Sequence, residues 1–348
     1  MAFMRASSPH AHAPSKTGDV MRLVALATLP GLAALTLHFG WGSLVNVIWA
    51  IAVAMSCEAI ILKIRKRPIA FYLTDYSALV TGLLIGLAMP PYAPWWLTLV
   101  GVSFAIVFAK HIYGGMGFNP FNPAMIGYVL LLISFPVEMS AYWLAPSGVE
   151  GQNYASLTDG LSVFLGAGGQ AIDGFTMATP LDTFKTYASA NTAEEIMSRS
   201  VFGQVGGKGW EIVNIGFLLG GVFLLYKKIF TWHAPVSMLT ALTLMSIIFN
   251  PDQNHGSIGL HLLSGATMLG AFFIITDPVT SATSTKGRLI FGAGVGILVY
   301  VIRVWGNYPD AVAFAVLLMN LAAPTIDYYT QPRTYGHTSA NRGIGKSE

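Results

Sequence analysis

Ten runs of apolar residues, most of them separated by a few polar ones, leave this chain few options. A run of about 20 apolar residues is long enough to cross the hydrocarbon core as a helix, and backbone groups in lipid must be satisfied within the segment. The sequence therefore predicts an all-α polytopic membrane protein with about ten transmembrane helices. They lie near residues 21–38, 43–62, 75–90, 94–111, 123–136, 210–226, 234–249, 260–275, 288–304 and 309–326. Composition agrees: 54% of the 348 residues are hydrophobic and only 10% charged, against about 25% charged in a soluble domain. Mean hydropathy is +0.59, and 37 glycines offer the small surfaces that let membrane helices approach closely.

Other classes fall away on charge and cysteine content. A net charge of +3 with the cations confined to loops gives no surface for nucleic acid. The single cysteine, Cys57, excludes an internal disulfide and a cluster held by this chain alone, which needs about four thiolates. If the protein handles electrons, it does so with an organic cofactor.

The first 20 residues have no apolar core or cleavage site and read as a cytoplasmic leader. With that end inside, 15 of the 19 lysines and arginines fall on the cytoplasmic face, and only Lys185, Arg199, Lys208 and Arg303 fall outside. Five helices (21–136) and five more (209–327) then flank an external loop at 137–208 rich in Gly, Ser, Thr and Ala, with a cytoplasmic tail at 328–348. Both termini are cytoplasmic on this reading. The spacing Ser77 to Pro91 recurs as Ser264 to Pro278, and Pro123, Tyr128 and Leu131 recur as Pro309, Phe314 and Leu317. Two five-helix halves must be inverted relative to each other, a pattern of proteins that hold a ligand or ion between repeats.

Several segments carry candidate chemistry. Lys110–Ala124 holds two Asn-Pro pairs and three glycines; Asn119 and Asn122 are either ligands of a cofactor or ion, or parts of an ordinary turn. Asp277, in Thr276-Asp-Pro-Val-Thr280, has the same two readings. Glu58 is the one carboxylate inside a helix, a candidate for ion transfer, although the neighbouring Lys63–Arg67 cluster favours an interfacial position. His261 reads as a packed residue. The loop stretch Asp173-Gly-Phe-Thr-Met-Ala-Thr179-Pro-Leu-Asp182 reads as a turn of small hydroxyl residues.

These segments carry a resemblance. Ser7-Ser-Pro9, Ser77-Ala-Leu-Val-Thr-Gly-Leu83, Pro90-Pro-Tyr-Ala-Pro-Trp-Trp96 and Tyr113-Gly-Gly-Met-Gly-Phe-Asn-Pro-Phe-Asn-Pro-Ala-Met-Ile-Gly-Tyr128 are its first half. His261-Leu-Leu-Ser-Gly-Ala-Thr-Met-Leu-Gly-Ala271, Thr276–Thr280 and Ile326-Asp-Tyr-Tyr-Thr-Gln-Pro-Arg-Thr-Tyr-Gly-His337 are its second. Over essentially its whole length the chain resembles the D subunits of the Rnf (Rsx) electron-transport complex, which are related to the B subunit of the sodium-translocating NADH:quinone oxidoreductase.

The resemblance implies an inner-membrane flavoprotein with FMN joined through its phosphate to a threonine of a Ser/Thr-x-Ala-Thr motif. A separate flavin transferase makes that bond. It also implies a non-covalent riboflavin in the helices, near the Asn119–Ala124 break, and a complex with the A, B, C, E and G subunits. That complex exchanges electrons between ferredoxin and NAD(H) and couples them to Na⁺ or H⁺ movement. Two stretches compete for the attachment: Ser264-Gly-Ala-Thr267 and Thr176-Met-Ala-Thr179. Thr267 falls in mid-helix, where its hydroxyl bonds a carbonyl one turn back, whereas Thr179 falls in an exposed loop that a transferase can reach. Thr179 is the expected site. A channel or secondary transporter without redox cofactor, and a bare scaffold subunit, are the competing classes.

Overall fold

The computed structural model describes residues 16–147, 149, 156–166, 176–188, 190–250, 255–332 and 336. The segments Ser7–Pro9 and Asp173-Gly174, the end of the C-terminal motif and the terminal cations Arg5, Arg333, Arg342 and Lys346 lie outside the described residues. Among the described residues, ten apolar helical segments lie close to the positions the hydropathy predicts. They are Thr17–Phe39, Gly42–Ile64, Ser77–Ala88, Trp95–His111, Pro123–Ser134, Trp210–Tyr226, His233–Phe249, the broken stretch from Ile258 to Ile274, Thr285–Val304 and Val312–Thr330. Four of them are long and apolar enough to cross a bilayer outright, the first, second, ninth and tenth. Proline near the start of its second part, at Pro30, bends the first segment, and the Thr28 hydroxyl donates to the Ala25 carbonyl there (2.8 Å).

The short segments frame cavities, and the eighth is interrupted as well as short. Its helix Ile258–Leu263 stops at Ser264, Gly265 takes φ +62°, and helix resumes at Thr267 before widening into a π-helical turn over Gly270–Ile274. A left-handed φ is a conformation glycine adopts without steric penalty. This corrects the mid-helix placement of Thr267: the residue begins a new helical turn just after a break.

The same pairing scheme is present in both halves. The second segment packs on the third and fourth, and the seventh on the eighth and ninth; the first contacts the third as the sixth contacts the eighth. The first and sixth segments pack on each other, as do the fifth and tenth, across the boundary between halves. Glycines allow the closest approaches. A Cβ at Gly220 would stand 1.8 Å from the Ala27 carbonyl oxygen, and one at Gly31 would stand 2.3 Å from the Phe217 ring. The described residues of 137–208 include regular structure. They contain the short helices Leu157–Phe164, Pro180–Tyr187 and Ala193–Met197, with a small core of their own around Leu181, Phe184, Ile196 and Phe202.

Candidate functional site

The loop motif is held by its backbone. Leu144 and Thr176 form an isolated antiparallel bridge, and the Met177 amide donates to the Trp143 carbonyl (2.9 Å). Met177, the residue that departs from the glycine of the strict motif, packs against the small outer core. The chain stays extended through Thr179 (φ −65°, ψ 156°), and Pro180, with its preset φ, opens the helix Pro180–Tyr187. Thr179 is the N-cap: its hydroxyl oxygen accepts from the Asp182 amide (3.3 Å). The expectation of a loose exposed turn is therefore corrected. Thr179 is half-buried and fixed at a helix start.

Lys185 ties this helix to the second half of the molecule, donating to the carbonyls of Arg303 and Tyr308 (both 3.3 Å). Burial pushes the Asp182 carboxyl up, with Lys185 opposing, and pushes the Lys185 ammonium down.

Thr179 is among the residues lining a cavity of about 300 Å³ between the two halves, at the lower end of the usual size of small-molecule sites, roughly 300–1,000 Å³. Trp143, Trp210, Tyr128, Phe217 and Tyr308 give it aromatic walls, with Trp143 and Trp210 5.3 Å apart. The competing threonine is differently placed. Thr267 is fully buried; its hydroxyl donates to the carbonyls of His261 (2.8 Å) and Ser264 (3.2 Å) and accepts from Arg303 Nη2 (2.9 Å). His261 is packed, as its sequence context suggests, with Nε2 3.0 Å from the His255 carbonyl.

The structure gathers Asn119, Asn122 and Asp277 at a second cavity, about 280 Å³, at the opposite end of the bundle. Their polar atoms are largely engaged in local turns. Asn122 caps the fifth segment through the amides of Ala124 (3.0 Å) and Met125 (3.3 Å), and its own amide donates to Asn320 Oδ1 (3.1 Å). Asn119 Nδ2 donates to the Phe121 carbonyl (3.0 Å), and Asp277 accepts from the Thr280 hydroxyl (2.8 Å). Consecutive residues line opposite cavities at two places, Ala124 and Met125, then Ile274 and Ile275. A thin apolar layer separates the two spaces.

Two placements differ from the sequence reading. Glu58 is 2% exposed, enclosed by protein. Lys110, read as a loop cation, is equally buried and donates to both Glu58 oxygens (2.8 and 2.7 Å) and to Ser77 Oγ (2.7 Å), with His111 Nε2 3.4 Å from Glu58. Successive side chains on an α-helix diverge by about 100°. The π-helical turn over Ala105–His111 changes that spacing and lets Lys110 and His111 approach one carboxylate together. Arg303 is also buried. Its guanidinium donates to the His261 carbonyl (2.7 Å) and pairs with Asp310 (3.2 Å). Sequence reasoning misses Asp310 and Arg303 because both flank an ordinary-looking turn; the only hint is two opposite charges close together at the edge of apolar runs.

The chain is similar in sequence to its relatives over nearly its full length. The chain is 57% identical over 351 residues to the D subunit of an ion-translocating oxidoreductase complex of Ectopseudomonas mendocina, covering 100% of both chains. It is 56% identical over 347 residues to the protein of that description from Pseudomonas aeruginosa, with 99% of each covered. A counterpart in Vibrio atlanticus is 52% identical over 350 residues, 97% of this chain and 100% of its own. One family model spans residues 4–336, across both halves and the loop that carries Thr179. A multi-pass bundle of two like halves, matched from end to end in this way, is a member of the NQR2, RnfD, RnfE family.

Proposed function

We propose that this chain is the D subunit of an ion-translocating electron-transport complex in the bacterial inner membrane, and that it carries FMN on Thr179. The observation that supports this most is the contrast between the two candidate threonines. Thr179 is half-buried among the residues lining an aromatic cavity, whereas Thr267 is sealed in a network of three partners. Attachment would form a P–O bond between Thr179 Oγ and the flavin-side phosphorus of a flavin dinucleotide donor, break the donor's P–O–P bond with release of the nucleoside monophosphate, and pass the hydroxyl proton to the flavin transferase that catalyses it. The phosphate would stand at the N-terminus of the helix Pro180–Tyr187, where the helix dipole favours negative charge.

The bound flavin supplies the electron chemistry, and the protein's part is position and environment. Trp143, Trp210 and Tyr128 offer ring faces for stacking and keep water out. The cavity holding Asn119, Asn122 and Asp277 would hold a second, non-covalent flavin, separated from the first only by the layer of Ala124–Met125 and Ile274–Ile275. The A, B, C, E and G subunits supply the remaining centres, and cation movement, Na⁺ or H⁺, accompanies transfer through the complex. The leader and tail face the cytoplasm and 137–208 the outside.

A denaturing gel viewed under ultraviolet light, after co-expression with the transferase, tests the assignment. The wild-type and Thr267→Val bands should fluoresce, and Thr179→Val should be dark. Fluorescence that survives Thr179→Val and disappears with Thr267→Val reverses the choice of residue. A dark wild-type band favours a transporter or bare scaffold.

A further inference from the structure

The cavity beside Thr179 has an uneven charge. Two carboxylates line it, Asp182 and Asp310, and among its described lining residues there is no lysine, arginine or histidine. The cavity at the other end is lined by Lys110, Lys228 and Arg288 with Asp277. Asp310 is built into the wall. Its Oδ2 accepts from the Ala266 amide (2.8 Å), and its Oδ1 is 3.2 Å from Arg303 Nη2. Gly265 leaves room for it: a Cβ there would stand 2.8 Å from Asp310 Oδ2 and 2.8 Å from Leu181 Cδ1. Asp310 thus lies on the same patch of wall as the residue two positions after Thr179.

The pair is also oriented. The Arg303 side chain is 2% exposed and that of Asp310 28% exposed. The guanidinium is turned away, its other bonds going to the His261 carbonyl, the Thr267 hydroxyl and the Ser264 carbonyl. The negative end faces the cavity and the positive end is behind the wall. A group in that cavity meets the carboxylate first, in surroundings where charge is poorly screened.

Resting on the assignment of FMN to Thr179, we infer that Asp310 faces the tethered ring and that its charge, anchored by Arg303, holds the ring's reduction potential low. A flavin presents an N–H on its pyrimidine edge that a fixed carboxylate accepts. Electrons added to the ring are opposed by the same carboxylate, so the oxidised form is favoured. Asp310→Asn removes the charge and keeps an acceptor; Arg303→Gln removes the compensating cation.

The experiment is a redox titration of the covalent flavin, followed by its visible absorbance, in purified protein co-expressed with the transferase. Asp310→Asn should raise the midpoint by at least a tenfold change in the oxidised-to-reduced equilibrium, about 30 mV for a two-electron couple. Arg303→Gln should lower it, and Asp310→Glu should stay near wild type. Loss of packing alone would move Asp310→Asn and Arg303→Gln in the same direction, so opposite signs support the inference and equal signs overturn it. An unmoved midpoint in Asp310→Asn also overturns it. If that variant does not accumulate, Arg303→Gln decides: a fall supports the inference, and no change or a rise sinks it. A dark wild-type band on the gel defeats the Thr179 assignment, whereas a fluorescent band with an unmoved midpoint defeats only the role of Asp310.

Discussion

Lys110→Met should cost the folded protein about 3–5 kcal/mol, the usual penalty for stranding one member of a buried ion pair. The side chains of Lys110 and Glu58 are 3% and 2% exposed, and Lys110 Nζ holds three oxygens, both of Glu58 and that of Ser77. Removal of the ammonium leaves a desolvated carboxylate with only His111 close by. The double variant Glu58→Leu/Lys110→Met removes both charges and should recover most of the loss, because replacing a buried pair with apolar side chains is often neutral or better. Unfolding in mild detergent, read as the midpoint of a denaturant titration for the two single variants and the double, measures the coupling. Single variants as stable as wild type would show that this pair is not a desolvated pair at all.

Gly220→Ala is the second large effect. A Cβ at this position would lie 1.8 Å from the Ala27 carbonyl oxygen and 3.1 Å from the Phe273 ring. The first of these neighbours is backbone and cannot rotate away, so the first and sixth segments must separate. The cost should reach at least the upper end of the overpacking range, about 3 kcal/mol, and it falls on the contact that joins the two halves. Leu219→Ala is the comparison: its side chain is 60% exposed on the outer surface of the bundle, and its removal should shift the midpoint little. Equal stability of Gly220→Ala and wild type would contradict the close packing of these segments.

Both predictions show why some of this molecule is readable along the chain and some is not. The sequence marks Glu58 as an intramembrane acid, but its partner is 52 positions away, and no local spacing brings a helix residue together with a distant one. The neighbouring Lys63–Arg67 cluster gives no sign of that partner for the same reason. The π-helical turn that aims Lys110 and His111 at one carboxylate leaves no periodic mark in an apolar run. Asn122 stands out in the sequence as a polar residue at a helix break, and it is one, yet its bond with Asn320, 198 positions on, belongs to the packing of the fifth and tenth segments.

Hydropathy by itself determined the class of fold and the positions of the apolar segments, because the cost of exposing or burying a side chain in lipid is a property of that residue and its neighbours. Spacing also pointed to two like halves, and the contacts within each half follow one scheme. The identity of the charged pairs, the break before Thr267, the fixed N-cap at Thr179 and the two cavities were decided only by tertiary structure. Those features arise where segments far apart in sequence meet, and there the energy depends on distance and burial between partners that no single stretch of chain contains.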